Sequence, residues 1–254
     1  MRIDVLLETF GARWPEMRTG ALAAERAGLD GVWLNDHLAG SVQGSTHVLE
    51  CWTILSALAA EVPRIAVGPL VLNIANRDPG TLGVMAATLQ HVSAGRLILG
   101  LGAGARAGTS YAIEQEALGH GVPANPERRR AVERTIAVLR QVWSGSVSPA
   151  EGFLRPEPAP PIVVAALGPK MAELAGRLGD GICVPAGPKL ADFVAVARQA
   201  RAQSGRDPEQ FLVTASLPSV PQRVEPWVEL GVDRLIVYVA PPFEEGVERL
   251  AKIR

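Results

Sequence analysis

Residues 65–104 read IAVGPLVLNIANRDPGTLGVMAATLQHVSAGRLILGLGAG. The run Ile65–Asn73 is dense in Val, Ile and Leu. A polar turn follows, then a stretch from about Pro79 to Val92 that suits a helix with proline in its first turn, and then a second apolar run, Arg96–Gly100. Strand, helix and strand in that order form the unit of a parallel sheet, because the crossover helix lets the second strand run in the same direction as the first. Neither run alternates cleanly with polar residues, as expected of strands covered on both faces.

The same unit recurs in both directions from this segment. Towards the N-terminus lie Gly31–Asn35, with a helix near Leu49–Glu61, and Ile3–Glu8, with a helix from about Trp14 to Ala27 that stops at Gly28. Towards the C-terminus the fourth strand leads through a Gly/Ala-rich loop to a helix near Pro126–Trp143. Ile162–Leu167 then precedes a helix over Pro169–Leu178, and Ile182–Val184 precedes Leu190–Ser204. Phe211–Leu217 is followed by a short helix ending near Leu230, and Arg234–Val239 by a last helix. Eight units in 254 residues match the roughly 250 residues typical of a closed barrel. The predicted fold is therefore α/β, a (β/α)8 barrel of the TIM type, with residues 1–254 as one domain. An open doubly wound sheet is the rival, and strand count and length favour closure. The Pro- and Gly-rich stretch Ser144–Pro161 reads as a surface connection rather than a domain boundary.

Composition narrows the function classes. Twenty-five Lys and Arg balance 26 Asp and Glu, for a formal charge of −1, so no global field attracts nucleic acid or an anionic membrane. Apolar residues make up 48% of the chain, yet no run reaches the length that a membrane span requires. Cys51 and Cys183 stand outside any CxxC or Cys/His spacing, and no signal-like segment opens the sequence. A cytoplasmic protein with reduced thiols is the expectation.

In a barrel of this kind, chemistry belongs to the C-terminal ends of the strands and the loops beyond them. Asp36 and His37 fall just after the second strand, where they can work on protons. A turn-capping Asp beside a structural His is the equally simple reading. Ile98–Gly108 (ILGLGAGARAG) carries so few side chains that a ring or phosphate could approach its backbone, although a tight barrel turn would look the same. Ala165–Lys170 (AALGPK) places a helix start at the mouth of the fifth strand, where free amides and the helix dipole favour a phosphate. His47, His91 and His120 show no metal spacing, and no GxSxG or Cys/His nucleophile pattern occurs. No metal site is expected.

Three segments carry a family resemblance: WLNDH (Trp33–His37), Gly68–Gly104, and PPIVVAALGPKMAELAGRLGDGI (Pro160–Ile182). With Arg77 and Pro79, the SAGR turn at Ser93–Arg96 and the GDG at Gly179–Gly181, they resemble the bacterial luciferase-like flavin- and deazaflavin-dependent oxidoreductases. The final strand, within GVDRLIVY (Gly231–Tyr238), is also similar to that family's. The resemblance implies a barrel that binds coenzyme F420 or FMN with the ring in its mouth, and hydride transfer to or from a small organic substrate. The Asp-His pair is typical of the F420-dependent branch.

By the same resemblance His37 is the catalytic residue and Asp36 lies at the cofactor. A non-prolyl cis peptide at Leu70–Val71 backs the ring with Asn73; Gly102, Ala103 and Gly104 line it; Ala165, Ala166, Leu167 and Gly168 approach its ribityl chain and phosphate. Pro185 occupies a position where relatives often carry a hydroxyl donor to the tail, and a proline has none to give. Ala105 stands where the hexose-phosphate dehydrogenases of the family have a Glu, which argues against sugar-phosphate oxidation. The regions around residues 144–161 and between the last two strands are shorter than in relatives, implying a smaller lid. Relatives often dimerise through helices on one side of the barrel, which makes a homodimer one reading and leaves the oligomeric state open. Substrate contacts would come from 12–14, 39–48 and 106–116, where Trp14 and Tyr111 could stack on an acceptor. An FMN-dependent monooxygenase and a non-catalytic flavin-binding barrel are the alternative readings. A phosphate-binding biosynthetic barrel is disfavoured, because the loops after the last two strands lack glycine donors.

Overall fold

A computed structural model describes residues 1–253. The barrel strands are β1 (Arg2–Leu7), β2 (Gly31–Leu34), β3 (Ala66–Pro69), β4 (Leu72–Asn73) and β5 (Leu99–Gly102). A small hairpin, β6 (Ser146–Val147) and β7 (Ala150–Glu151), precedes β8 (Ile162–Ala165), β9 (Gly181–Pro185), β10 (Leu212–Leu217) and β11 (Arg234–Val239). Between them run α1 (Trp14–Arg26), α2 (Cys51–Glu61), α3 (Pro79–Val92), α4 (Ser110–Ala117) and α5 (Asn125–Trp143). After β8 come α6 (Pro169–Leu178), α7 (Leu190–Gln203), α8 (Glu225–Glu229) and α9 (Phe243–Ala251).

The hydrogen-bonded order is β3-β2-β1-β11-β10-β9-β8-β5-β4, with every neighbouring pair parallel. The two ends of this order are the two halves of one strand. β3 pairs with β2 and β4 pairs with β5, and a parallel bridge from Val67 to Leu97 closes the ring. Between the halves, the Leu70–Val71 peptide is cis, at the position the family resemblance implies.

Side chains along the strands divide between two cores, as alternation in a barrel requires. Leu6, Trp33, Ile98, Val163, Cys183 and Ile236 form one buried cluster inside the barrel. Their chain neighbours, such as Val5, Leu7, Val32 and Leu34, pack outward with the helices. Low in the interior, fully buried Asp4 accepts two hydrogen bonds from Arg234 (2.6 and 2.8 Å) and one from Trp33 Nε1 (2.8 Å). Burial pushes the Asp4 carboxyl above its usual range, against the pull of Arg234.

A cavity of about 880 Å3 opens at the N-terminal rim of the strands, bordered by Asp30, Arg96, Asp180 and Asp233 among others. These side chains tie strand ends together. Asp30, Asp180 and Asp233 accept from the amides of Ile3, Ile162 and Val213, each on the strand preceding the Asp. Arg96 donates to the carbonyls of Ala59 and Ile65. Such use is what the folding end of a barrel shows, and the chemistry is sought at the opposite rim.

Three local expectations change. The fourth strand is shifted towards its C-terminus, to Leu99–Gly102, because β4 and β8 supply it with ladder partners that outweigh the weak strand preference of its glycines. The segment expected to be loop contains α4, whose mixed polar sequence carries little apolar periodicity. The third run is interrupted at residues 70–71 rather than continuous.

Candidate active site at the barrel mouth

A cavity of about 410 Å3 lies over one half of the mouth, walled by the ends of β2, β3, β4, β5 and β8 and by α4. Of the residues expected at the site, Asp36, His37, Leu70, Val71, Asn73, Gly102, Ala103, Gly104, Ala165 and Leu167 border it. Gly168 borders an adjoining cavity of about 720 Å3, which shares Ala103, Gly104, Ala105, Tyr111, Arg128, Leu167 and Met171 with the first.

Two expected residues are not brought there. Ala166 is completely buried in the outer core, its amide donating to the Cys183 carbonyl at 2.9 Å, so its side chain faces the helices rather than the mouth. Pro185 is exposed at the end of β9, a strand that contributes nothing to either cavity. Both cavities are offset towards β3–β5, away from these two residues.

Asp36 changes role. Its side chain is 0% exposed, and its oxygens accept from both terminal nitrogens of Arg77 (2.8 and 2.9 Å) and from the Asn73 amide (2.8 Å). Arg77 also pairs with Glu50, which caps α2 through the amides of Trp52 and Thr53. Burial opposes the charge on Arg77, but the two carboxylates outweigh it and raise its pKa. Asp36 therefore anchors the second strand's loop to β4, its oxygens engaged by donors of the protein itself.

The glycines at the end of β5 and just beyond it answer to neighbouring side chains as much as to a ligand. A Cβ on Gly102 would lie 2.6 Å from Val71 Cγ2; one on Gly104, whose φ is +78°, would lie 2.5 Å from Asn73 Oδ1. Arg128 braces the same turn by donating to the carbonyls of Ala103 and Gly104. Asn73 donates to Gln115 Oε1, which also accepts from the Ala105 amide.

His37 stands at the cavity wall outside the Asp36–Arg77–Glu50 network. Its ring stacks on Tyr111 (4.8 Å between centroids, 28° between planes) and packs at 5.1 Å against Phe10. The Tyr111 hydroxyl accepts from Gln43. Nδ1 lies 2.8 Å from Oε1 of Glu114, a residue 3% exposed, whose other oxygen accepts from the amides of Leu38 (2.9 Å) and Ala39 (3.1 Å). Burial alone would raise the Glu114 pKa; the His37 contact and the two amides outweigh it and hold the carboxyl below its usual range. Across the ring, Glu8 lies just beyond β1, its own carboxyl pushed up chiefly by burial.

Glu114 is the residue that sequence reading missed. Tyr111, Glu114, Gln115 and Leu118 fall at helical spacing. That spacing was the available signal, with polar groups aimed at one face of a short helix between Gly108 and Gly119.

The outer cavity is cationic. Arg106, Arg128, Arg129 and Lys170 border it with no carboxylate among its lining residues, and none of the four forms an ion pair among the described residues. Burial, together with repulsion from Arg106, lowers the Arg128 pKa. α6 begins at the same wall without a side-chain cap, so the positive end of its dipole adds to this field.

Fold and site together define a parallel β/α barrel with a ligand-sized cavity at its C-terminal mouth. The luciferase-like monooxygenase family model matches residues 1–225, and the chain belongs to that family. Among curated relatives, an F420-dependent glucose-6-phosphate dehydrogenase of Microbacterium testaceum is 32% identical over 71% of this chain and 54% of its own. An F420-dependent hydroxymycolic acid dehydrogenase of Mycobacterium tuberculosis is 32% identical over 86% of this chain and 62% of its own. The chain thus spans about half to three fifths of the length of these curated relatives. A solved F420-dependent secondary alcohol dehydrogenase in complex with an F420-acetone adduct superposes with a TM-score of 0.85 at 16% identity, covering 100% of this chain and 98% of that one. At that identity the likeness supports the fold alone. Among the described residues, no helix is long and apolar enough to cross a membrane, and no group of three or more His, Cys, Asp or Glu is placed to hold a metal ion.

Proposed function

We propose that the chain, as a single barrel unit, binds coenzyme F420 at its mouth and catalyses hydride transfer between that cofactor and a small organic substrate. The observation that carries this reading is the joining of two unlike cavities: a mouth backed by Leu70, Val71 and Ala165, suited to a flat ring, and an outer chamber with four unpaired cations. F420 joins a deazaflavin ring to a tail with a phosphodiester and several carboxylates, so its two parts match the two chambers in polarity. The family membership and the F420-dependent relatives point the same way.

Bound F420 would supply a carbon centre that accepts or gives hydride without one-electron oxygen chemistry. Asn73, Gly102 and Ala103 would hold its ring, and Arg106, Arg128 and Lys170 its anionic groups. His37 would take the proton from a substrate hydroxyl or return it to a carbonyl. Asp36 keeps the loop that carries His37 in register with β4. Ala105 borders both cavities without offering an acid, which supports a substrate other than a sugar phosphate. A reducing cytoplasm suits the free, buried Cys51 and Cys183, and a homodimer follows the habit of the family.

Fluorescence titration tests the cofactor directly. F420 is expected to bind in the micromolar range or tighter and FMN more weakly, because FMN brings a single phosphate to four cations. Tight FMN binding with oxygen consumption on reduction would sink the F420 reading.

A further inference from the structure

We infer that Glu114 is a positioning residue that holds neutral His37 in the Nδ1–H tautomer and presents an unprotonated Nε2 to the mouth cavity. The functional half of this inference rests on the hydride-transfer reading above; the structural half stands on the geometry alone.

Counting donors and acceptors around the ring fixes which nitrogen carries the hydrogen. Glu114 Oε2 receives two backbone amides, from Leu38 and Ala39, and Oε1 faces His37 Nδ1 at 2.8 Å. An ionised carboxylate accepts and cannot donate, so the hydrogen in the contact to His37 belongs to Nδ1. In a neutral imidazole this leaves the lone pair on Nε2, for which the described residues supply no hydrogen-bond partner. The ring cannot easily turn to exchange its nitrogens, because Tyr111 and Phe10 pack against it.

Other titratable groups near the ring do not compete for Nδ1. Asp36 is consumed by Arg77 and the Asn73 amide; Glu8 accepts from the Phe10 amide on the β1 side; the Tyr111 hydroxyl is engaged by Gln43. Glu114 also ties the backbone just after His37 to α4. One side chain thus fixes both the tautomer and the placement of the loop that carries it. In the direction of substrate oxidation, Nε2 would accept the hydroxyl proton as the carbon bearing that hydroxyl gives its hydride to the oxidised cofactor and becomes a carbonyl. In reduction, doubly protonated His37 gives that proton back and Glu114 stabilises the cation by charge.

Glu114→Gln separates this role from simple structural support. The amide oxygen can still accept from Leu38 and Ala39, but the amide nitrogen donates to Nδ1 and moves the ring hydrogen to Nε2. The measurement is the long-range 15N–1H correlation pattern of His37 in cofactor-free protein, at a pH where the ring is neutral. Wild type is expected to show the Nδ1–H pattern and Glu114→Gln the Nε2–H pattern, with unchanged far-UV circular dichroism. On turnover, Glu114→Gln is expected to lower kcat by about 10²- to 10⁴-fold, the usual range for a misplaced acid–base group, its upper end matching a wrong-tautomer variant of another enzyme's catalytic histidine. KM should change little, and Glu114→Asp should recover part of the loss.

An Nε2–H pattern in the wild type would overturn the inference. So would an unshifted pattern in a folded Glu114→Gln protein. If Glu114→Gln does not fold, the wild-type spectrum decides by itself. If the wild-type pattern is Nδ1–H while no F420-coupled turnover is found, the cofactor reading falls and the tautomer assignment stands.

Discussion

Replacing His37 with alanine is expected to lower F420-coupled turnover by about 10²- to 10⁴-fold, the usual range for losing a positioned acid or base, and to leave F420 binding nearly intact. The side chain of His37 is 22% exposed at the edge of the 410 Å3 cavity, whereas the cavity's back wall is made by Leu70, Val71, Gly102 and Ala165. Truncating the imidazole removes a proton carrier without removing that wall. It also leaves Glu114 with its two backbone donors, so the loop keeps part of its anchorage. The rate would be followed through deazaflavin absorbance with whichever member of a panel of alcohols and carbonyl compounds supports turnover in the wild type. Equal rates in wild type and His37→Ala would remove His37 from proton transfer. Loss of binding together with turnover would instead make it part of the cofactor's wall.

The second large effect concerns charge. Arg106→Glu combined with Lys170→Glu is expected to weaken F420 binding by about 10- to 100-fold. Each charge-assisted contact is worth about 1.5–3 kcal/mol when well formed, and exposure of both side chains cuts that figure. Arg128 is spared in this test because its guanidinium braces the carbonyls of Ala103 and Gly104. A deazaflavin without the phosphate and carboxylates has no stake in these cations, so its affinity should be unchanged by the same double substitution. The wild-type affinity for F420 should also fall as salt is raised, more steeply than in the double variant. Equal losses for the tailed and tailless ligands would show that the cations shape the ring pocket rather than receive a tail.

The barrel was legible in the sequence because its evidence is repetitive. Each β/α unit announces itself by a short aliphatic run followed by a helical stretch, and an error of a residue or two in one unit does not alter the count. The closure was less legible. The third run looks continuous from Ile65 to Asn73, yet its halves pair with different neighbours, and only the resemblance pointed to the break at Leu70–Val71.

The site was legible by position and much less by partnership. Strand ends led to His37, but nothing local distinguishes a free carboxylate from one held by an arginine 41 residues away, as Asp36 is by Arg77. Glu114 was hidden for the same reason: it reaches His37 across 77 residues of chain from a helix too short and polar to declare itself. Ala166 and Pro185 came from the family resemblance, which carries over positions but not the direction each side chain takes. A strand end is shared between mouth, core and outer rim, and which of these a side chain meets depends on where the cavity lies over the barrel.

A crystal structure of the chain with oxidised F420 would test the central claim most directly. The expected result is a ring lying against the Leu70–Val71 peptide within the mouth cavity, its reactive edge open to a substrate that His37 Nε2 can reach, and its anionic tail among Arg106, Arg128 and Lys170. A ring bound outside that mouth, or a tail running away from those cations across β9 and β10, would contradict it.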